Sequence, residues 1–327
     1  MPDPSDSPDP TSEGWPDAIG TISTTKAFQV VHDYRKQQNL PPNEVPKSMP
    51  STSFTTPPPT LNTLLISPIS THSVLFTYNQ PSISNAFTLS SYNDLAAALR
   101  WARLEPSITV IVVTGAGKHY CAGKVLTPPS ESGPTIEEEI VAGGNLSAEL
   151  LGYPKVLIAA VNGAAIGWGC TQLFNFDLVY AWENEKESKE WPGAFFQTPF
   201  TKLGFVPEGA SSWSFPRVMG KQRANALLLA SERMGAREMY EAGLVTKVVR
   251  SGSREGFLDE VKEVARRVGG YNGESLRLTK AQLNKPSVLA EQKEAGMREG
   301  VDLKVMLGGE EARRMMEGFK GREREKL

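Results

Sequence analysis

Two short stretches carry groups suited to acid–base work on a carbonyl compound. The segment Gly163–Cys170 has glycines at 163, 167 and 169 around an expected helix start. Backbone N–H groups at such a start lack partners inside the helix and favour a negatively charged oxygen, so this segment is suited to holding an oxyanion. Glu208, in Val206-Pro207-Glu208-Gly209, is a carboxylate before a turn glycine. By local sequence alone it reads as an exposed loop acid. Gly115-Ala116-Gly117 raises a dinucleotide-binding loop, but that pattern needs a glycine where Tyr120 stands, and no phosphate-binding P-loop can be written there. The segment reads as a tight turn after a buried strand. There is no CxxC pair and no HExxH helix, and His32, His72 and His119 are scattered, which leaves a structural zinc site without support.

The elements that must position these groups alternate between strand and helix. Leu61 to Ile69 and Ser73 to Asn79 read as strands joined by a turn at Ser67-Pro68 or beyond. Apolar residues at 89, 92, 95, 96 and 99 give Leu89 to Leu104 a helical period. The β-branched run Ile108 to Thr114 suits a buried strand. A helix over Ile136 to Leu151, a strand over Lys155 to Val161, a helix starting within Gly167 to Phe174 and a strand over Phe176 to Ala181 follow. Such alternation predicts an α/β fold with buried sheets. From about residue 254 the pattern is helical, with Leu276, Leu283, Leu289, Met297 and Leu303 on helix faces. The first 60 residues, rich in Pro, Ser, Thr and Asp and closed by Pro57-Pro58-Pro59, read as a disordered arm with one possible short helix at 27–38. The division is an arm over 1–60, a core over 61–253 and a helical C-terminal region over 254–327. The charged run 183–192 reads as a solvated loop.

Four stretches, in order and spacing, resemble the enoyl-CoA hydratase/isomerase (crotonase) family: VIVVTGAGKHYCAGKVL at 110–126, PKVLIAAVNGAAIGWGCTQLFNFDLVYA at 154–181, FQTPFTKLGFVPEGASSWSFPRVMG at 196–220 and GAREMYEAGLVTKVV at 235–249. Asn85-Ala86-Phe87 is similar to the family's Asn-Ala-Leu element. The third stretch is most similar to peroxisomal-type Δ3,Δ2-enoyl-CoA isomerases. The resemblance implies a crotonase spiral of ββα units with a helical C-terminal region that assembles trimers or hexamers. It implies an acyl-CoA thioester substrate, with CoA part of the substrate and no other cofactor and no metal. The family's two oxyanion donors fall on the backbone amides of Ala86 and Trp168. The catalytic carboxylate falls on Glu208, and substrate-binding positions fall on Asn85, Gly123, Gly167, Gly169 and Pro207.

The same resemblance separates isomerase from hydratase. Family hydratases use two glutamates, one of them three residues beyond the second oxyanion donor, where this chain has Thr171. With Glu208 alone, the chain resembles the isomerases of fatty-acid β-oxidation, in which one carboxylate moves a proton from C2 to C4. The rivals are hydration or another acyl-CoA reaction of primary or secondary metabolism, and a noncatalytic acyl-CoA-binding scaffold. Val125 departs from the family by replacing an Asp. Lys124 is either an exposed loop lysine or a contact to a CoA phosphate. Cys121 and Cys170 read as small buried residues, and His119 as facing solvent.

Composition narrows the classes further. A formal net charge of -2 with no basic stripe argues against a nucleic-acid binder. No apolar run approaches the roughly 20 residues that span a bilayer. Asp3, Asp6, Asp9, Glu13 and Asp17 precede the first lysine, which disfavours secretory and mitochondrial leaders. The last residues, Glu325-Lys326-Leu327, share Lys-Leu with the peroxisomal S-K-L address but have Glu in place of the small residue. The family resemblance implies a peroxisomal location, with cytoplasm as the next expectation.

Overall fold

A computed structural model describes residues 54–126, 133–186, 193–310 and 314–315. Most of the arm, including the helix expected at 27–38, and residues 187–192 of the charged run lie outside the described residues.

The chain opens with an antiparallel hairpin of β1 (Leu64–Ser70) and β2 (Ser73–Tyr78). Its turn falls at Thr71-His72, beyond Ser67-Pro68. Pro68 is carried inside β1, where the register shifts before Ser70. Because β1 is an edge strand, the missing proline N–H costs no ladder bond. Helix α1 (Leu89–Leu104) returns the chain to β3 (Val110–Gly115), and α2 (Ile136–Leu150) leads to β4 (Val156–Val161). After the short β5 (Ala164–Ile166) and the one-turn α3 (Trp168–Thr171) comes β6 (Leu178–Asn184). Glu183 and Asn184 of the charged run therefore belong to a strand. Then come β7 (Phe195–Gln197), α4 (Ser211–Leu228), β8 (Met234–Gly235), α5 (Ala236–Glu241) and β9 (Lys247–Ser251). Helices α6 (Arg254–Gly269), α7 (Gly273–Leu283) and α8 (Pro286–Leu307) complete the described chain.

The strands form a six-stranded sheet of order β1-β2-β3-β4-β6-β9, parallel apart from the first pair, and a small sheet β5-β7-β8. All six β3 residues are buried because both faces of the large sheet are covered. Val110 and Val112 point to one side, with Ile158, Tyr180 and Val249, against Phe257, Val261 and Ala265 of α6. Ile111 and Val113 point to the other side, into the larger core shared with α1 and α2. The four-residue spacing of 257, 261 and 265 places them on one helical face.

The Gly115–Gly117 turn is structural. Asn162, just after β4, accepts from Gly115 N (3.1 Å) and donates to Gly117 O (3.1 Å). Residues 54–60, grouped with the arm by composition, lie against α1. Phe54 meets Trp101 edge-on at 5.0 Å, Trp101 donates to Thr56 O, and Thr56 N donates to Glu105. Among the described residues no helix is long and apolar enough to cross a membrane.

The back of the sheet generates a direct test. Phe257 is fully buried between α6 and the sheet. Truncation to alanine leaves a cavity there, so Phe257→Ala loses about 3–5 kcal/mol of unfolding free energy in urea denaturation. A loss below about 1 kcal/mol contradicts this packing.

Candidate active site

Three backbone segments are laid side by side at the ends of the strands. Phe87 N donates to Gly123 O (2.7 Å), and Val125 N returns a bond to Phe87 O (3.0 Å). Cys121 N donates to Ala164 O (3.0 Å), and Ile166 N donates to Cys121 O (2.9 Å). Residues 121–125 therefore lie between Ala86-Phe87 on one side and Ala164–Gly167 on the other. Close packing sets the glycines here: a Cβ on Gly169 would lie 2.4 Å from Cys121 O, and one on Gly123 would lie 2.8 Å from Ile166 O.

Gly167, with φ +52, turns the chain into α3 and brings the Trp168 amide to the front. The expected helix is a single turn, Trp168–Thr171, continued as a 3-10 turn over Gln172–Asn175. Directed N–H groups, rather than the dipole of a long helix, are therefore what this segment offers. Glu208 arrives from the loop before α4. A Cβ built on Gly167 would lie 3.7 Å from Glu208 Oε1, so the carboxylate sits against bare backbone. The Trp168 backbone N–H lies close enough to favour its anion. Gly209, at φ +67, passes so close to α3 that a Cβ would meet Thr171 Oγ1 at 2.9 Å. A side chain there would force either α3 or the turn that carries Glu208 to shift.

Trp168 and Glu208 share the wall of a cavity of about 610 Å³, with Tyr92, Lys124, Gly144 and Ala148 on one side and Met297, Gly300 and Leu303 of α8 on the other. Burial pushes the Glu208 carboxyl up to about 7; Lys124 opposes this, Glu299 adds to it, and the Trp168 N–H favours the anion. The Tyr92 phenol is raised well above its ordinary value, by burial first and then by the nearby Glu208 charge. Lys124 is neither exposed nor free: its ammonium pairs with Glu139 of α2 at 2.5 Å and its side chain is mostly buried.

The remaining sequence-predicted positions stand behind this wall. Ala86 is buried and its N–H closes a turn onto Ile83 O (3.0 Å), so it reaches an oxyanion only by sharing or exchanging that bond. Asn85 is buried with its side chain fully engaged: it accepts from Gln80 N (2.9 Å) and donates to Ala116 O (2.8 Å) and His119 O (2.7 Å). It holds the loops together without facing the cavity. Gly123, Gly167, Gly169 and Pro207 likewise shape the backbone outside the lining. Thr171 is fully buried, and its hydroxyl has no partner among the described residues. Cys121 and Cys170 are buried thiols, each pushed up to about 12 by burial, which suits no nucleophile. His119, expected at the surface, is half-buried, and its carbonyl accepts from Asn85. Among the described residues no group of three or more His, Cys, Asp or Glu could hold a metal ion.

Sequence reasoning missed Tyr92, Glu139 and Glu299. Tyr92 shows only as an apolar member of a helical stripe, and Glu139 as one of three acids in the first turn of α2. Glu299 carries no local signal, since α8 is rich in charge throughout.

A mostly parallel sheet, a glycine-framed amide and the Glu208 carboxylate thus meet on one largely apolar cavity. The Enoyl-CoA hydratase/isomerase family model matches residues 71–326, and the chain belongs to that family. It is 38% identical over 176 residues to "Enoyl-CoA delta isomerase 2" of Rattus norvegicus, spanning 53% of this chain and 42% of the relative. It is 34% identical to "Enoyl-CoA delta isomerase 3, peroxisomal" of Mus musculus, over 53% of this chain and 52% of the relative. The matches thus span about half the length of these relatives. Its fold is similar to that of an enoyl-CoA hydratase/isomerase from Pseudoalteromonas atlantica, with a TM-score of 0.69 and 29% identity over 80% of this chain and 98% of that one.

The buried carboxyl predicts a pH dependence of stability. The folded value of about 7 lies above the ordinary 4.5, so the folded protein keeps a proton that the unfolded chain releases between these pH values. Its contribution is therefore fully present below 4.5 and is lost as pH rises to about 7. The difference in unfolding free energy between the natural protein and Glu208→Gln falls by roughly 3 kcal/mol across that window and is flat above it. Parallel curves for the two proteins, from urea unfolding at each pH, would show that Glu208 ionises as a solvent-exposed acid.

Proposed function

We propose that this protein is a Δ3,Δ2-enoyl-CoA isomerase in which Glu208 carries the proton. The observation that carries the reading is the half-buried Glu208 carboxylate, poised near neutral pH close to the Trp168 amide on the wall of a largely apolar cavity. A group that titrates near the working pH is ionised often enough to accept a proton and is acidic enough to return it. Glu208 removes a proton from C2 of a 3-enoyl-CoA. The charge delocalises onto the thioester oxygen, where the Trp168 amide, with Ala86 as second donor, stabilises the dienolate. Glu208 then delivers the proton to C4, which leaves the double bond conjugated at C2–C3. Every electron pair stays within the substrate, and the step as proposed uses no metal or redox cofactor; CoA is part of the substrate. The likeness to the rat and mouse isomerases supports the same reading.

Hydration is the nearest rival. It needs a second acid–base group to hold and activate water, and the buried Thr171 hydroxyl lies where a family hydratase has its carboxylate. A noncatalytic scaffold is the other, and binding without turnover would reveal it. A peroxisomal location is part of the proposal and rests on the likeness to the mouse protein. So is a trimer or hexamer: α8 exposes Met297, Val301 and Val305 by 65%, 66% and 71%, three apolar residues at a four-residue spacing that run from the mouth of the cavity and that a second copy could cover.

Three outcomes follow. Glu208→Gln keeps size and most hydrogen bonding but cannot cycle a proton, so it preserves folding and acyl-CoA affinity while turnover falls by about 10²–10⁴-fold. A fall of less than about fivefold in single-turnover isomerisation, with binding intact, removes Glu208 as the base. Under one set of conditions, isomerisation of a 3-enoyl-CoA outpaces hydration of a 2-enoyl-CoA; the reverse order makes the protein a hydratase. Light scattering gives a mass that is a multiple of three, and Val301→Glu lowers it. A monomer throughout the micromolar range overturns the assembly.

A further inference from the structure

We propose that Glu299 is a positioning residue for the proposed base: from α8 it clamps the turn that carries Glu208 and places a second negative charge beside it. The inference rests on reading Glu208 as the acid–base group.

The geometry is specific. Glu299 is 5% exposed, and each of its carboxylate oxygens accepts a backbone N–H: Ala210 N donates to Oε2 at 2.6 Å and Ser212 N donates to Oε1 at 2.8 Å. These are the amides at the start of α4, whose own N-cap residue, Ala210, has no side chain able to cap. A residue 89 positions away supplies the cap. The clamp matters because the turn is strained. Gly209 has φ +67 and Ala210 φ +59, and an alanine in the left-handed region persists only where surrounding contacts hold it. Glu208 immediately precedes that pair, so its carboxylate points at Trp168 only while the turn is held. The rest of α8 is seated at the same place: Ala295 packs with Ala210 and Trp213, and Trp213 Nε1 donates to Glu291 at 3.1 Å.

The charge acts through the same contact. The groups that face Glu208 are Lys124 from the loop after β3, Tyr92 from α1, the Cys121 thiol, the Trp168 N–H and Glu299 from α8. Glu299 makes loss of the Glu208 proton harder and Lys124 makes it easier. Burial raises the Glu299 carboxyl above its ordinary value, and the Ser212 hydroxyl, the two turn amides and Arg298 offset part of that rise. Glu299 does not itself serve as the missing hydratase carboxylate in this arrangement, because both of its oxygens are committed to the turn.

The test is a carboxyl-carbon NMR titration of the full chain with labelled glutamate, with Glu208→Gln used to assign the Glu208 signal. In Glu299→Gln, which removes the charge, the Glu208 midpoint moves to lower pH. In Glu299→Asp, which keeps the charge but cannot reach both amides, the midpoint stays nearer the natural value while kcat for a 3-enoyl-CoA falls roughly 10- to 100-fold with little change in KM, the signature of a displaced base. An unmoved or raised midpoint in Glu299→Gln overturns the proposal, as does full kcat in Glu299→Asp. Should neither variant fold, the natural protein decides: coupled two-step curves at Glu208 and Glu299 support the contact, and independent single-step curves overturn it. The titration uses no acyl-CoA, so a protein that fails to isomerise yet shows the shift sinks only the reaction assignment. A protein that isomerises without the shift sinks only the role of Glu299.

Discussion

Taking a carboxylate out of water is costly, and the fold around Glu208 can be read as the set of contacts that makes this tolerable. The acid sits against the Gly167 backbone near one amide, one ammonium and a second carboxylate. None of these neutralises it outright. A full ion pair would hold the group well below neutral pH and leave it a poor base, whereas burial with no donor at all would keep it protonated. The intermediate outcome, a carboxyl pushed up to about 7, is the one useful for accepting and returning a proton.

That balance depends on placement by backbone rather than by side-chain adaptation. Residues 121–125 are held between two other segments by main-chain bonds, and Gly123, Gly167, Gly169 and Gly209 occupy points where any Cβ would crowd a neighbour or strain the turn. Behind them, Asn85 and Asn162 spend their amides on loop carbonyls and N–H groups. Residues that resemble substrate-binding positions thus act on the site by fixing the three segments, while the cavity wall is made by bulkier groups from α1, α2 and α8.

The C-terminal helix is as much a part of the site as the core. It lines the cavity, caps α4 through Glu299 and exposes an apolar stripe that begins at the mouth of the cavity. The cavity and the base are consequently tied to one element. An acyl chain that presses on α8, or a second copy that covers its outer stripe, acts on the same helix that clamps the turn of Glu208.

Local pattern determined much of this molecule. The β-branched run at 108–114 suited a buried strand, the period of 89–104 suited a helix, and the motif order pointed to the family whose model matches residues 71–326. Glu208 and Trp168 were legible because they lie inside those motifs. Other features were not. Pro68 within a strand depends on β1 being an edge, which is a property of the sheet and not of the residue. The burial of Lys124 depends on Glu139 arriving from a different helix. Glu299 is one acid among many on α8, and its meaning comes from two amides 89 and 87 positions away. The physical reason is common to all three. Backbone period and turn chemistry act over a few residues and leave a mark in the sequence, whereas the dielectric and the hydrogen-bond partners that set a carboxylate's behaviour are supplied by whichever elements the tertiary fold brings alongside.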